Sequence, residues 1–556
     1  MNDWNTLLPS AHVDRFTRER MPPQDQWPVF FNDHAQLDYP NDLNVAGELV
    51  DRHVIEGRGS RPALYGVTRL DGSTQDFSWT YAELHNQVNR IARVLTEDMG
   101  LVSGNRVLLR GGNSPMMAAT LLASFKAGLV AVPTMPLLRA GELATIIEQA
   151  QITAALCDSA LADELQHCST PGHAHHCPTL EQVKLFHSDH ADGLERCMQR
   201  HGADFESYRT SRDDVCLIAF TSGTTGKPKG TMHFHRDVLA MCDLFPKHVL
   251  NMGEADIVCG TPPIAFTFGL GGLLAFPLRH GASSVLLDKH TPETLLATIA
   301  KYRATQCYTA PTMYRQMAAL VHAYDLSSLK HPVSAGEALP ANTRQLWQQA
   351  TGISLTDGIG GTEVIHIYIS SAGAEIRPGS IGKVVPGYIA QVVDDDMQPV
   401  PPGTVGRLAM RGPTGCKYLA DPRQTNYVKA GWNLPGDTFV MDEDGYFSYQ
   451  ARNDDMIISS GYNIAGPEVE SALLTHPAVA ECGVVGMPDE ERGAIVQAFV
   501  VLHDGYSPDN ALITALQEHV KQTIAPFKYP RKIAFLSALP RTETGKLQRF
   551  KLRQSS

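Results

Sequence analysis

Short apolar runs alternate with longer stretches of helical period through the first part of the chain: 106–109 then 116–127, 129–132 then 142–150, and then 154–157. Apolar runs of this length suit strands and the intervening segments are long enough for helices, so the pattern predicts parallel α/β layers. A further strand-like run occupies 215–220. From about residue 380 the rhythm changes to short strand-like pieces separated by turns, at 391–394, 406–411 and 445–448. Asn453-Asp454-Asp455 then interrupts the pattern after Arg452, and 469–474, strand-like 479–485 and 498–502, and helical 510–524 follow. About 100 terminal residues are a usual size for one compact α+β domain. The expected fold is therefore α/β: a large N-terminal domain, 1–452, of layered α/β subdomains with a β-rich subdomain at about 380–452, then a small α+β domain at 453–556.

Composition narrows the chemistry. The chain has 556 residues, 43% hydrophobic and 19% charged, with a formal net charge of -12. That balance describes an ordinary globular protein and argues against a general nucleic-acid or anionic-membrane surface. The N-terminus, Met1-Asn2-Asp3-Trp4-Asn5, lacks the basic segment and apolar run of a secretory signal, and Lys126 breaks the apolar stretch 116–133. A cytoplasmic enzyme without a membrane span is expected. Ten cysteines without a Cys-x-x-Cys pair point to reduced, mostly buried thiols. His167, Cys168, His173, His175, His176, Cys177, His187, His190, Cys197 and His201 crowd together, but around Pro171, Gly172 and Pro178 and without paired ligand spacing. They read as a polar connection rather than a metal site.

The most informative segment is TSGTTGKPKG at 221–230, which directly follows the run 215–220. Glycines let a backbone approach an anion, hydroxyls and N–H groups donate to phosphate oxygens, and Lys227 and Lys229 add positive charge. It is not a Walker loop, since the required Gly and Ser/Thr positions hold Thr221 and Pro228. Nor is there a dinucleotide fingerprint: Gly269-Leu270-Gly271 and Gly358-Ile359-Gly360 reach Leu274 and Glu363 where the third Gly belongs. A flexible surface linker is the bland alternative for such a loop taken alone.

With this loop stand DGIGGTE at 357–363, the Gly436-Asp437 pair, Arg452 before Asp454, and PRTETGK at 540–546, in the order found in adenylate-forming enzymes. Over nearly its whole length the chain resembles that superfamily of acyl- and aryl-CoA ligases, carrier-protein adenylation domains and luciferases. The resemblance implies that a carboxylate attacks the α-phosphate of ATP and that a thiol then displaces AMP. It implies an ATP site formed by Thr221, Ser222, Gly223, Thr224, Thr225, Gly226 and Lys229 around the departing pyrophosphate. Gly336, Glu337 and Ala338 with Asp357 and Gly358 would form the adenine side, and Asp437 and Arg452 would meet the ribose and nucleotide. Thr362 would bond phosphate and Glu363 would hold Mg²⁺. Lys546 would bridge the attacking carboxylate and the α-phosphate. Asp454 would be the hinge of a mobile C-terminal domain, and Gly461 would line the coenzyme A tunnel. Alone, Glu363 reads as a surface carboxylate and Gly436-Asp437 as a turn. Ala451 departs from the Gly usual before the arginine.

Two segments bear on the acid, PPIAFTFGLG at 262–271 and GGTEVIH at 360–366, and both resemble aryl-CoA ligases of the benzoate and 2-aminobenzoate type. The opening MPPQDQWP at 21–28 and the AFTF variant at 265–268 resemble the 2-aminobenzoate group. Ala265, Phe266, Phe268, Gly269, Gly360, Gly361 and His366 are the candidate pocket. Phe268 would wall a flat slot, Gly360 and Gly361 would leave room for a ring, and His366 would read an ortho amine or hydroxyl. A satisfied core histidine is the alternative for His366. The expected activity is an aryl-CoA ligase for a small aromatic carboxylate, foremost 2-aminobenzoate, with ATP, Mg²⁺ and coenzyme A; benzoate, salicylate or another substituted benzoate is the alternative substrate. Loading a carrier protein is the alternative acceptor chemistry. A monomer or homodimer is expected.

Overall fold

The computed structural model describes residues 4–32, 34, 37–70, 73–221, 228–452, 456–459, 462–489, 492–524, 526–541 and 547–554. The 106–157 pattern forms as the alternation predicts: strands Arg106–Arg110, Val130–Thr134 and Ala154–Asp158, with helices Pro115–Lys126 and Ala140–Ala150 between them. Ser114 caps the first helix by accepting from the Met117 N–H at 3.2 Å, and Pro115 occupies its first turn, where no N–H is needed. Every side chain of that helix is buried, because layers cover it on all sides.

These strands belong to a six-stranded sheet ordered Gln182–Phe186, Ala154–Asp158, Arg106–Arg110, Val130–Thr134, Val215–Thr221 and Lys229–Phe234. All neighbours are parallel except the last pair, which is antiparallel. A nine-stranded sheet lies beside it, with a parallel run that includes His331–Ser334 and Thr356–Gly360 and an antiparallel neighbour Ile367–Ser371. The hydrophobic core is continuous between the two, joining Leu108, Leu121, Val132 and Leu217 to Leu273, Tyr308, Val333 and Ile369.

The expected β-rich portion is a further six-stranded sheet that includes Ile389–Val393, Gly406–Arg411, Asp437–Met441 and Phe447–Arg452. Its last strand starts later than the 445–448 reading. The Asp442 carboxylate accepts from the N–H groups of Asp444 and Tyr446 at 3.0 and 2.8 Å, and Gly445 has φ +80°, so Gly445 and Tyr446 form a turn. Ala451 sits within that strand with Thr438 Oγ1 bonded to both its N–H and its C=O, and the strand accommodates it without positive φ. At the C-terminal end, strands Val479–Asp489, Gly493–Leu502 and Lys532–Phe535 pack with helices Gly466–Leu473 and Asn510–Thr523 around their own core of Val469, Val484, Val500, Leu516 and Val520.

The histidine-rich stretch holds no metal cluster: among the described residues no group of three or more His, Cys, Asp or Glu side chains is placed to bind an ion. His173 instead stacks on His167 at 4.1 Å, and Cys168, Cys177 and Cys197 are buried in the core. All ten cysteines are free and buried.

Candidate active site

The strands that flank the TSGTTGKPKG motif pair as a β-hairpin, Thr221 lying directly opposite Lys229 across antiparallel strands. A Walker loop instead leads from its strand into a helix. Ser222, Gly223, Thr224, Thr225 and Gly226 lie outside the described residues, as do Asp454, Gly461 and Lys546. At the mouth of the hairpin the Thr221 hydroxyl is buried and has no hydrogen-bond partner among the described residues. Such an orphan donor costs about 1–3 kcal/mol, and an anionic oxygen would relieve it.

Opposite, the Lys229 ammonium donates to the Tyr418 hydroxyl at 2.8 Å, and that hydroxyl donates to Glu363 Oε1 at 2.6 Å. Lys229 and Glu363 themselves are 3.6 Å apart, with Glu363 12% exposed. A single carboxylate facing a phosphate-type loop is the donor set Mg²⁺ takes when phosphate oxygens and water supply its other positions, so the residues present fit this ion. Glu363 and Thr362 lie on the short turn Thr362–Val364 that leaves the strand Thr356–Gly360. The next residue, Ile365, has φ +70° and ψ -41°, a rare conformation for a β-branched side chain. This strained link reverses the chain sharply between Glu363 and His366.

The adenine-side candidates converge through sheet register. Ser334 pairs with Asp357 on neighbouring parallel strands, so the 336–338 segment leaves its strand beside the Asp357-Gly358 step. Gly336, with φ +91°, makes the turn. Gly336 and Ala338 are exposed and Glu337 is half-buried, 3.5 Å from Arg541 of the C-terminal portion. Burial pushes the Asp357 carboxyl up to about 7, although Arg344 at 3.7 Å and the Gly358 N–H at 3.0 Å oppose the shift. Asp437 and Arg452 face one another across antiparallel strands, and Gly436, at φ +84°, turns the chain into the first of them.

At the acid-pocket candidates, Asn113 pins the loop by donating to Pro262 O at 3.0 Å and accepting from Ile264 N at 2.8 Å. Ala265 is buried, and Phe266 and Phe268 are half-buried. His366 is 3% exposed and ringed by Phe276, Phe245 and Phe268 at 4.5, 5.8 and 5.8 Å between ring centres. Its Nε2 meets Phe268 O at 3.3 Å, while Nδ1 is buried without a partner among the described residues. Bonding to a carbonyl assigns the proton to Nε2 and leaves Nδ1 an acceptor. Burial pushes the imidazole down to about 3, so it is neutral at physiological pH.

The two glycines expected to leave room for a ring differ from one another. A Cβ on Gly360 would lie 2.5 Å from His366 O, so that glycine admits the crossing backbone rather than a ligand ring. A Cβ on Gly269 would lie 2.1 Å from Pro263 O, again a close backbone approach. Gly361 is open by comparison, with Glu363 Oε2 the nearest atom to its Cβ position at 3.6 Å. Sequence reasoning missed Tyr418, Asn113 and the aromatic cage of Phe245 and Phe276. It also missed Gly271, whose absent side chain seats the His366 ring, Cδ2 lying 2.4 Å from the Cβ position. The clustered glycines at 269–272 were the only local signal for that seat.

A family profile described as AMP-binding enzyme matches residues 51–418, and one described as AMP-binding enzyme C-terminal domain matches residues 468–546. The chain belongs to the AMP-binding enzyme family. It is 34% identical over 530 residues to a benzoate–CoA ligase of Thauera aromatica, covering 94% of this chain and 98% of that one. It is 32% identical over 536 residues to the mitochondrial acyl-coenzyme A synthetase ACSM3 of Mus musculus, covering 93% and 91%. Among solved structures, the anthranilate CoA ligase AuaEII in complex with anthranoyl-AMP superposes with TM-score 0.86 at 33% identity, covering 93% of this chain and 98% of that one. A benzoate CoA ligase from Burkholderia xenovorans LB400 superposes with TM-score 0.80 at 29% identity, covering 92% and 99%. This AMP-binding enzyme is thus an AMP-forming acid–CoA ligase that uses ATP, Mg²⁺ and coenzyme A. No helix among the described residues is long and apolar enough to cross a membrane.

Proposed function

We propose that the enzyme is a cytoplasmic aryl-CoA ligase for 2-aminobenzoate. A carboxylate oxygen attacks the α-phosphorus of ATP, forming the mixed anhydride and expelling pyrophosphate. The thiolate of coenzyme A then attacks the acyl carbon, forming the thioester and expelling AMP. The observation that carries the substrate reading is the neutral His366 imidazole, with Nε2 committed to Phe268 O and an unpaired Nδ1 enclosed by aromatic rings. A flat aromatic acid suits such walls, and an ortho amine supplies the N–H that Nδ1 lacks. The likeness to an anthranilate CoA ligase with anthranoyl-AMP supports this reading.

In this scheme Thr221, Lys229 and the hydroxyls of the 222–226 loop meet the departing phosphates, Thr362 bonds phosphate, and Glu363 holds Mg²⁺, which supplies charge neutralisation when bound. Asp357 and the 336–338 turn frame adenine; Asp437 and Arg452 take the ribose side. Lys546 bridges the carboxylate and α-phosphate during adenylation. The small domain, 453–556, then swings about Asp454, and Gly461 borders the thiol's path.

Benzoate is the second reading, favoured by the 34% identity to a benzoate–CoA ligase. Pyrophosphate release with and without coenzyme A, over 2-aminobenzoate, benzoate, salicylate, 4-hydroxybenzoate, cinnamate and a medium-chain fatty acid, with products identified by mass, tests both. Preference for 2-aminobenzoate with its CoA thioester is expected. Preference for an acid without an ortho donor would refute the role given to Nδ1, and transfer only to a holo-carrier protein would refute the acceptor.

A further inference from the structure

Tyr418 is placed by more constraints than a core tyrosine needs. It forms an antiparallel bridge with Thr231 on the outgoing strand of the phosphate-loop hairpin. Met232 N donates to Lys417 O at 2.8 Å and Leu419 N to Gly230 O at 2.8 Å, so the 417–419 segment is an extra rung beside Lys229–Phe234. The Tyr418 N–H is held by the buried Gln424 Oε1 at 2.9 Å, and its ring meets Tyr427 edge-on at 6.0 Å. The side chain is fully buried, with its hydroxyl between Lys229 and Glu363. There the oxygen accepts from Lys229 at 2.8 Å and donates to Glu363 at 2.6 Å, while Lys229 Nζ also lies 4.7 Å from the centre of the tyrosine ring.

We propose that Tyr418 is a positioning residue for MgATP, its hydroxyl wedged between Lys229 and Glu363 so that this ion pair stays at 3.6 Å and does not close into direct hydrogen-bonding contact. At 3.6 Å the two charges are near enough to collapse onto each other once the hydroxyl is removed. A collapsed pair must be broken before Glu363 can meet a cation or Lys229 a phosphate, whereas the bridged pair offers both groups already aimed and only partly satisfied. The inference rests on the reading of Lys229 and Glu363 as the phosphate and Mg²⁺ groups.

The test is Tyr418→Phe, which deletes one oxygen. MgATP affinity is measured by calorimetry without acid or coenzyme A, and Mn²⁺ affinity in the presence of ATP by electron paramagnetic resonance. The expected result is about tenfold weaker binding of both, the size of one lost hydrogen bond to charged groups. The KM for the acid and the rate of thioester formation from supplied aroyl-adenylate should be unchanged. Tyr418→Phe combined with Glu363→Gln should bind MgATP no more weakly than Glu363→Gln alone. Unchanged MgATP and Mn²⁺ affinity, additive losses in the double variant, or equal losses for every ligand together with a lowered thermal midpoint would each overturn the proposal. If phenylalanine is not tolerated, 4-aminophenylalanine at 418 keeps a polar atom on the same ring and should bind MgATP within about threefold of the native chain; a loss of about tenfold there overturns it as well. Because no acid or thiol is present in the binding measurements, a wrong substrate assignment leaves this test intact, whereas failure of the native chain to bind MgATP would defeat the site reading itself.

Discussion

Replacing His366 by leucine isolates one buried polar atom on which the proposed substrate reading rests. In the native chain Nδ1 is buried with no partner among the described residues. An acid whose ortho donor reaches that acceptor satisfies it, whereas benzoate leaves it unpaired, and a buried unpaired acceptor is worth about 1–3 kcal/mol. At about 1.4 kcal/mol per decade this becomes a preference of roughly 5- to 150-fold in kcat/KM for an acid with an ortho N–H or O–H over benzoate. Leucine fills comparable space against Phe245, Phe268 and Phe276 but accepts nothing, so kcat/KM for 2-aminobenzoate should fall by about 10- to 100-fold while benzoate changes little. The replacement also releases the Phe268 carbonyl from Nε2, a change that does not depend on the ortho substituent. The assay is steady-state pyrophosphate release for both acids with both proteins. Burial holds the imidazole at about 3, so the ring stays neutral, with Nδ1 unprotonated, throughout the range pH 5.5–9 at which the assay is run, and the native preference should be flat across it. Equal losses for the two acids, or a preference that rises or falls with a midpoint near 6.5, would refute the reasoning.

Lys546→Ala should abolish most adenylation while thioester formation from supplied aroyl-adenylate stays within about threefold, because in the proposed scheme the small domain has swung Lys546 away before the thiol attacks; comparable losses in both would contradict the role. Asp357→Asn should remove a pH-dependent contribution to stability. The folded carboxyl sits near 7 instead of its ordinary 3.8, so its favourable contribution is present in acid and is lost as pH rises through 7, by about 1.4 kcal/mol per pH unit and on the order of 4 kcal/mol in all. Unfolding midpoints of the native chain and the variant should therefore diverge in the variant's favour between pH 4 and 8, and the native chain should show an infrared band of a protonated carboxyl titrating near 7 that the variant lacks. Lys417→Met should lower stability by about 3–5 kcal/mol, since it strands the Asp237 carboxylate that Lys417 meets at 3.0 Å with both side chains fully sealed from water; adding Asp237→Leu should recover more than half of the loss in denaturant titrations.

The parts of the fold visible in the chain were those set by local periodicity. The 106–158 layers follow from apolar runs and capped helices, and the TSGTTGKPKG loop is legible because anion binding needs glycine, hydroxyl and lysine side by side. Strand ends that depend on side-chain turns were not, as where Asp442 gathers the N–H groups of Asp444 and Tyr446 and delays the last strand to Phe447. Gly360 has a backbone task that the chain does not display, since only a folded chain shows the His366 backbone crossing where its side chain would be.

Tyr418 shows why that limit is physical. It is nearly 190 residues from Lys229 along the chain and 55 from Glu363, so no spacing rule could join the three. They meet because the hairpin Val215–Thr221 and Lys229–Phe234 has one free edge, and residues 417–419 fill it with backbone hydrogen bonds. Satisfying a strand edge requires backbone alone and is indifferent to side-chain identity. The same edge therefore serves the fold with a ring of this size at 418, which packs beside Tyr427, and serves the site only with a hydroxyl on it. That separation between backbone pairing and hydroxyl chemistry is what allows Tyr418→Phe to leave the sheet intact while weakening MgATP.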